Sequence, residues 1–295
     1  MSQIAAISEP EFVRPPWRAI SWRVPVTVAL VGWLYCSILV YLVLQWGADS
    51  NFSHGFLVPV FSIFVLWRNR FHLQSIPVRP FSWGLLAVAF SLVVLVVGVL
   101  GAELFLARFS LLLVIAGLVV TFFGIDYLRA ILFPLSCLFL MIPIPAIVFN
   151  EIAFPLQILS SQIASSILPW FGVPVLREGN IINLAPMSLE IAEACSGIRS
   201  LLSLITLAVI YGYLSTKTKW VRVALVLAAV PIAVLANSLR IVTTGLFVQY
   251  WNPSKAEGFF HGFSGWLVFL ISVAMLCIVQ QVLTRVSRRR THVQC

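Results

Sequence analysis

Long apolar runs separated by short polar gaps occupy the chain from residue 25 to residue 283. A hydrocarbon core about 30 Å thick needs roughly 20 mostly apolar residues per crossing helix. Runs of that kind lie at 25–46, 54–67 (short), 83–102, 104–123, 127–146, 195–214, 222–243 and 261–283. A ninth stretch, 147–171, is interrupted by Asn150, Glu151, Pro155, Gln157 and the serine-rich SSQIASS. It predicts an interfacial or re-entrant helix rather than a clean span. Between the fifth and sixth runs, VPVLREGNIINLAPMSLEIAEA holds no span-length apolar segment. REGN predicts a turn between the short extended segments VPVL and IINL, with SLEIAEA leading into the next helix. The pattern as a whole predicts an all-α polytopic membrane protein. It has about eight transmembrane helices, one interfacial or re-entrant helix and a small outer-face hairpin. An N-terminal cytoplasmic segment (1–24), one polytopic domain (25–284, with an outer-face segment 147–194) and a basic cytoplasmic tail (285–295) follow from the same boundaries.

Composition agrees. Of the 295 residues, 61% are hydrophobic and 10% charged, against 45–50% and about 25% in ordinary soluble domains. The net charge of +9 would suggest nucleic acid in a soluble protein. Here the basic residues punctuate apolar runs and report orientation instead. One side collects Arg14, Arg18, Arg23, Arg68, Arg70, Arg79, Arg129, Lys217, Lys219, Arg222, Arg285, Arg288, Arg289 and Arg290. Eight alternating spans then put both termini in the cytoplasm. Asp49, Glu103, Glu151, Glu178, Glu190, Glu193 and Glu257 fall on the outer side. The opening MSQIAAISEPEFVRPPWR has neither the short apolar core nor the cleavage site of a signal peptide. Five scattered cysteines without C-x-x-C spacing predict neither a disulfide framework nor a zinc site.

Ionisable groups in or beside spans are expensive and are candidates for function. On this topology they gather at the outer boundary: Asp49 and His54 at the second span, Glu103 and Arg108 at the fourth, Cys195 and Arg199 at the sixth, Arg240 near the end of the seventh, and His261 opening the eighth. Glu190 and Glu193 precede Cys195. In AEACSGIRSLLSL (192–204), Ser196 and Gly197 suit a helix start, which would set the Cys195 sulfur near a positive helix end. Such a position, with Arg199 four residues on, favours a thiolate. The plainer alternative is a small buried hydrophobe, which fits Cys36, Cys137 and Cys277 in mid-span. Arg240, in LANSLRIVTTG, either ion-pairs with Glu190, Glu193 or Glu103 or donates to a developing oxyanion. Asn237, three residues earlier on the same face, could orient it. Arg199, with acids close by, reads more readily as structural. His261 and His54 are each either hydrogen-bonded structural residues or a general acid/base beside the thiol. No H-E-x-x-H or paired-cysteine spacing supports a metal, and no cofactor is expected.

SNFSHGFLVP (51–60), MIPIP–NEIAFPLQ (141–157), REGNIINL (177–184), AEACSGIRSLLSL (192–204), ANSLRI (236–241) and HGFSGW (261–266) together resemble the bacterial branch of the exosortase/archaeosortase family. The resemblance spans most of residues 45–285. It implies a membrane-embedded cysteine protease or transpeptidase of the bacterial inner membrane. Its partners would be membrane lipid and secreted proteins ending in a short motif, a transmembrane helix and a basic tail (the PEP-CTERM-type signal), with no nucleic acid. The family's Cys, Arg and His carry over to Cys195, Arg240 and His261. His54, Arg199, Asn237, Glu190 and Glu193 would support catalysis or bind substrate. On that expectation the Cys195 thiolate attacks at the outer boundary, His261 protonates the leaving amine and Arg240 stabilises the oxyanion. Rival expectations are a transporter, a polysaccharide-pathway acyl- or glycosyltransferase using His54 or His261, and a scaffold in which the polar cluster is structural. Apolar midplanes such as LAVAFSLVVLVVGVL and the lack of matching halves weigh against transport.

Overall fold

The computed structural model describes residues 22–190, 198–250 and 259–293. Ten α-helices run through these residues: α1 (Arg23–Ala48), α2 (Leu57–Arg68), α3 (Arg70–Ser75), α4 (Gly84–Leu100), α5 (Leu104–Phe122), α6 (Ile125–Cys137), α7 (Ala146–Ile167), α8 (Ile198–Ser215), α9 (Lys219–Tyr250) and α10 (Phe259–Val293). A 3-10 helix, Ser50–Phe56, precedes α2, and another, Leu168–Phe171, prolongs α7. Among the described residues six helices are long and apolar enough to cross a membrane: Arg23–Ala48, Ser50–Arg68, Leu104–Phe122, Ala146–Phe171, Lys219–Tyr250 and Gly265–Arg289. Gly84–Leu100 and Arg199–Ser215 are shorter apolar helices.

Two segments differ from the sequence expectation. The apolar run 127–146 is not one helix. α6 ends at Cys137 and passes through a 3-10 turn, Leu138–Met141. Pro143 and Pro145 then disfavour helical backbone at Ile142 and Ile144. The polar-flecked stretch 147–171 is, conversely, continuous helix of spanning length. Its serines explain why. Ser161 Oγ donates to Ile158 O at 2.8 Å or to Gly179 O at 3.0 Å, and Ser165 and Ser166 both donate to Gln162 O. Hydroxyls satisfied by nearby backbone carbonyls cost little in apolar surroundings.

The chain forms two compact units, residues 1–43 with 59–142, and 44–58 with 143–295. In the first, α4 and α5 form a tight antiparallel pair. A Cβ at Gly98 would lie 2.6 Å from Ala107 N, and one at Gly117 would lie 2.9 Å from Val88 N. Small residues let membrane helices approach this closely. Tyr35 of α1 packs with Leu95, Leu111 and Val114. Its hydroxyl pairs with Ser110 Oγ at 2.8 Å. Because Ser110 donates to Ala107 O, Tyr35 is the donor of that pair. Gly98→Leu meets backbone rather than a flexible side chain. Thermal unfolding in detergent should show a loss of at least about 1–3 kcal/mol, the usual cost of overpacking. An unchanged midpoint would refute this close pairing.

In the second unit α9 is the hub. Of its best spanning window 56% is buried, against 11% for α1. Leu201, Leu204 and Ala208 of α8, Leu225, Ala229 and Ala233 of α9, Ala153 of α7 and Leu276 of α10 share one core. A three-stranded antiparallel sheet, β1 (Val175–Glu178), β2 (Ile181–Leu184) and β3 (Ser188–Glu190), lies in order β1-β2-β3. Gly179, at φ +64°, takes the first position of the two-residue β1–β2 turn, where glycine is favoured. The expected hairpin is present, but SLE is a third strand rather than the lead into a helix. Ser188 and Leu189 pair with Asn183 and Ile182, and Leu189 reaches the apolar cluster that holds Ile182 and Leu184. That cluster includes Ala164 and Leu168 at the end of α7 and Ile241, Val242 and Val248 of α9. The sheet therefore rests on the C-terminal half of α9. Residues 285–293, expected as a tail, continue α10 as helix.

Candidate functional site

Three packed helices of the second unit carry the residues singled out by sequence. α8 begins at Ile198, three residues after Cys195; α9 carries Asn237 and Arg240; His261 falls in the first turn of α10. α9 packs along both α8 and α10, and α10 also meets α8. Cys195 and Glu193 lie outside the described residues, as do Ser196 and Gly197. Glu190 and His261 are described by backbone position alone: Glu190 ends β3, and His261 is helical.

Arg240 is half-buried, and its guanidinium lies over Gly265 of α10. A Cβ there would sit 3.3 Å from Nη2 and 3.4 Å from Cζ. Residues four apart share a helix face. His261 therefore stands one turn, about 6 Å, before Gly265 on the face that meets Arg240. One turn back along α9, Asn237 is buried (4% exposed). Its Nδ2 has no hydrogen-bond partner among the described residues. The following residues, Ile241 and Val242, pack into the cluster beneath the sheet. This end of α9 is accordingly held from two sides.

The SNFSHGF segment forms the 3-10 helix before α2 and packs against α8. Asp49 caps it, its Oδ1 accepting from Asn51 N at 2.9 Å. Asn51 Oδ1 in turn accepts from Arg199 Nε, at a long 3.4 Å. Gly55 gives Trp46 its place: a Cβ there would lie 2.5 Å from Trp46 Nε1. Trp46 meets Phe56 edge-on at 5.2 Å, and Phe52 meets Phe149 of α7 at 6.1 Å. His54, half-buried, thus sits in a rigid turn tied to the first turn of α8. Arg199 is exposed, and its link to Asn51 joins that turn to α8.

Glu103 and Arg108 belong to the first unit. Glu103 caps α5, accepting from Phe105 N at 3.4 Å, and Arg108 is buried. Of the other cysteines, Cys36 is exposed, Cys137 buried and Cys277 half-buried.

The transmembrane exosortase family matches residues 46–278, more than three quarters of the chain. The chain belongs to that family. No curated protein and no solved structure matches it. The exosortase match begins in the last turn of α1 and ends within α10. It takes in the His54 turn, the sheet, Cys195, Asn237, Arg240 and His261. Within this exosortase region, sequence reasoning missed Gly265 and Asn51. Gly265 is visible in HGFSGW as the residue one turn after His261, but its significance depends on which helix crosses it. Asn51 stands beside His54 in SNFSHGF, with no local sign of its distant partner.

Gly265→Val would crowd the guanidinium where it approaches α10, since even a Cβ there meets Nη2 at 3.3 Å. Misplacing a group that acts on the reacting atoms commonly costs up to about 10²-fold in rate. At least a tenfold fall in processing at normal protein abundance is therefore expected in a pulse-chase assay. Wild-type rates in the valine variant would show that this contact does not hold Arg240 in place.

Proposed function

We propose that the protein is a membrane-embedded cysteine protease or transpeptidase. Its substrates are secreted proteins whose C-termini carry a short motif, a transmembrane helix and a basic tail. The observation that carries this reading is the close approach of the Arg240 guanidinium to Gly265, one turn from His261, in a helix trio whose third member follows Cys195. An acyl-transfer enzyme needs a nucleophile, a proton carrier and an oxyanion donor on rigid neighbouring elements. Family membership supports the same chemistry.

The Cys195 thiolate attacks the scissile carbonyl carbon, forming a C–S bond as the π pair moves to oxygen. Arg240 stabilises that oxyanion. When the tetrahedral adduct collapses, the C–N bond breaks and His261 delivers a proton to the leaving amine. Water or an outer-face amine then releases the acyl group. His54, Glu190 and Glu193 bind substrate or support these groups.

The enzyme sits in the bacterial inner membrane with its site at the outer boundary and both termini in the cytoplasm. A substrate threaded in the same sense, with its basic tail inside, presents its scissile bond on the outer side.

The test is to co-express a tagged secreted protein bearing such a C-terminal signal and to map its new C-terminus by mass spectrometry. The expected cut lies just before the substrate's transmembrane helix, and only when helix and basic tail are both present. A substrate left at full length, or cut beyond its helix on the cytoplasmic side, would contradict the proposal.

A further inference from the structure

Asn237 is a buried side chain with an unsatisfied donor. It is 4% exposed, yet its Nδ2 has no hydrogen-bond partner among the described residues. Buried amide donors are nearly always satisfied, because leaving one unpaired forfeits its hydration with nothing in return. Unpaired groups therefore persist chiefly where something else completes them. The nearby hydroxyls show the contrast. Ser238 Oγ donates to Val234 O at 2.8 Å and Thr243 Oγ1 to Leu239 O at 2.8 Å, so these two hydroxyls on α9 are satisfied by their own helix. Asn237 lies one helical turn from Arg240 on the same face, and that guanidinium rests on α10 at Gly265.

We infer that Asn237 is a second catalytic donor: its Nδ2–H and the Arg240 guanidinium together bind the oxyanion formed when a substrate peptide carbonyl is attacked. The inference rests on the cysteine-protease reading above and extends it. In the attack step the carbonyl π pair moves onto oxygen while the sulfur–carbon bond forms. The new negative charge accepts one hydrogen bond from the amide and others from the guanidinium. On collapse the pair returns to carbon, the C–N bond breaks, and the leaving nitrogen takes its proton from the imidazolium. Asn237 gains and loses no proton. It also remains unpaired in the resting enzyme, so its hydrogen bond forms only as charge develops. An interaction made in the transition state and not before it raises the rate of the chemical step.

Asn237→Leu tests this, since it keeps the approximate volume and removes both polar atoms. Three measurements are made on full-length protein: pulse-chase shortening of the co-expressed tagged substrate, thermal unfolding in detergent, and the rate of Cys195 alkylation by iodoacetamide resolved by mass spectrometry. Alkylation consumes the thiolate without forming an oxyanion. The expected result is shortening slowed about 10²-fold, the low end for losing one such donor, with alkylation unchanged and the unfolding midpoint equal or higher. Shortening within threefold of wild type would overturn the inference. So would alkylation falling in parallel with shortening, because Asn237 would then act through the thiol. A lowered midpoint accompanied by proportionate loss of folded enzyme would also overturn it, because it would make Asn237 structural. Cys195→Ala, run alongside, separates the two levels. If it still shortens the substrate, the cysteine-protease reading itself fails. If it is inactive while Asn237→Leu is active, only the second donor is lost.

Discussion

Cys195→Ala will abolish shortening of a co-expressed substrate, a loss of about 10⁴-fold or more, as is usual when a covalent nucleophile is removed. Protein abundance and unfolding temperature will stay at wild-type values. A collapse in abundance would indicate a packing role for Cys195 instead. Cys195→Ser is expected to be nearly as inactive, since an alcohol at the same place lacks the low pKa that makes a thiolate available near neutral pH. Alanine at Cys36, Cys137 or Cys277 serves as the control. Cys36 is exposed along α1 and Cys137 is buried where α6 ends; neither belongs to the α8–α9–α10 trio. Each control should retain processing within a few-fold. The comparison is read as the half-time of substrate shortening in a pulse-chase.

Arg240→Lys will slow processing by about 10²–10³-fold, the range expected when an oxyanion donor is lost, even though the charge is conserved. The guanidinium is a planar fork, and here it lies close over Gly265, where a Cβ would come within 3.3–3.4 Å of it. An ammonium on a flexible stem offers a point charge without that fork and is not interchangeable with it. Arg240→Ala should be no better. If charge alone mattered, as in an ion pair with Glu190 or Glu193, lysine would restore most of the activity and alanine would lower the unfolding temperature. The two readings therefore give opposite patterns. Rate and stability measured on the same two variants decide between them.

Most of the membrane architecture is legible in the sequence because lipid imposes a length and a hydrophobicity on each crossing. The errors are local and physical. SSQIASS looked too polar for a long apolar helix, yet Ser161, Ser165 and Ser166 bond to backbone carbonyls, including Gly179 O in the β1–β2 turn, and the helix is long and apolar enough to cross a membrane. The run 127–146 looked apolar enough, but Pro143 and Pro145 restrict the residues before them and no single helix forms. SLE joined the hairpin as β3 because three residues are too few for periodicity to separate strand from helix entry.

At the site, residue types and spacing pointed to Cys195, Asn237, Arg240 and His261 as candidates. They could not show that α9 and α10 meet at Gly265, because a glycine's value there comes from what crosses it. Nor could they show the Asn51–Arg199 link, whose partners are separated by 148 positions. Contacts of that separation leave no trace in local pattern.

The most direct measurement is to trap the acyl-enzyme. Processing is quenched in acid, the protein is digested, and the cysteine-bearing peptide is weighed with and without hydroxylamine. A thioester joining the substrate's new C-terminal residue to Cys195, released by hydroxylamine and lost in Cys195→Ala, is the predicted result. A substrate adduct on another residue, or continued processing by Cys195→Ala with no adduct, would contradict the account.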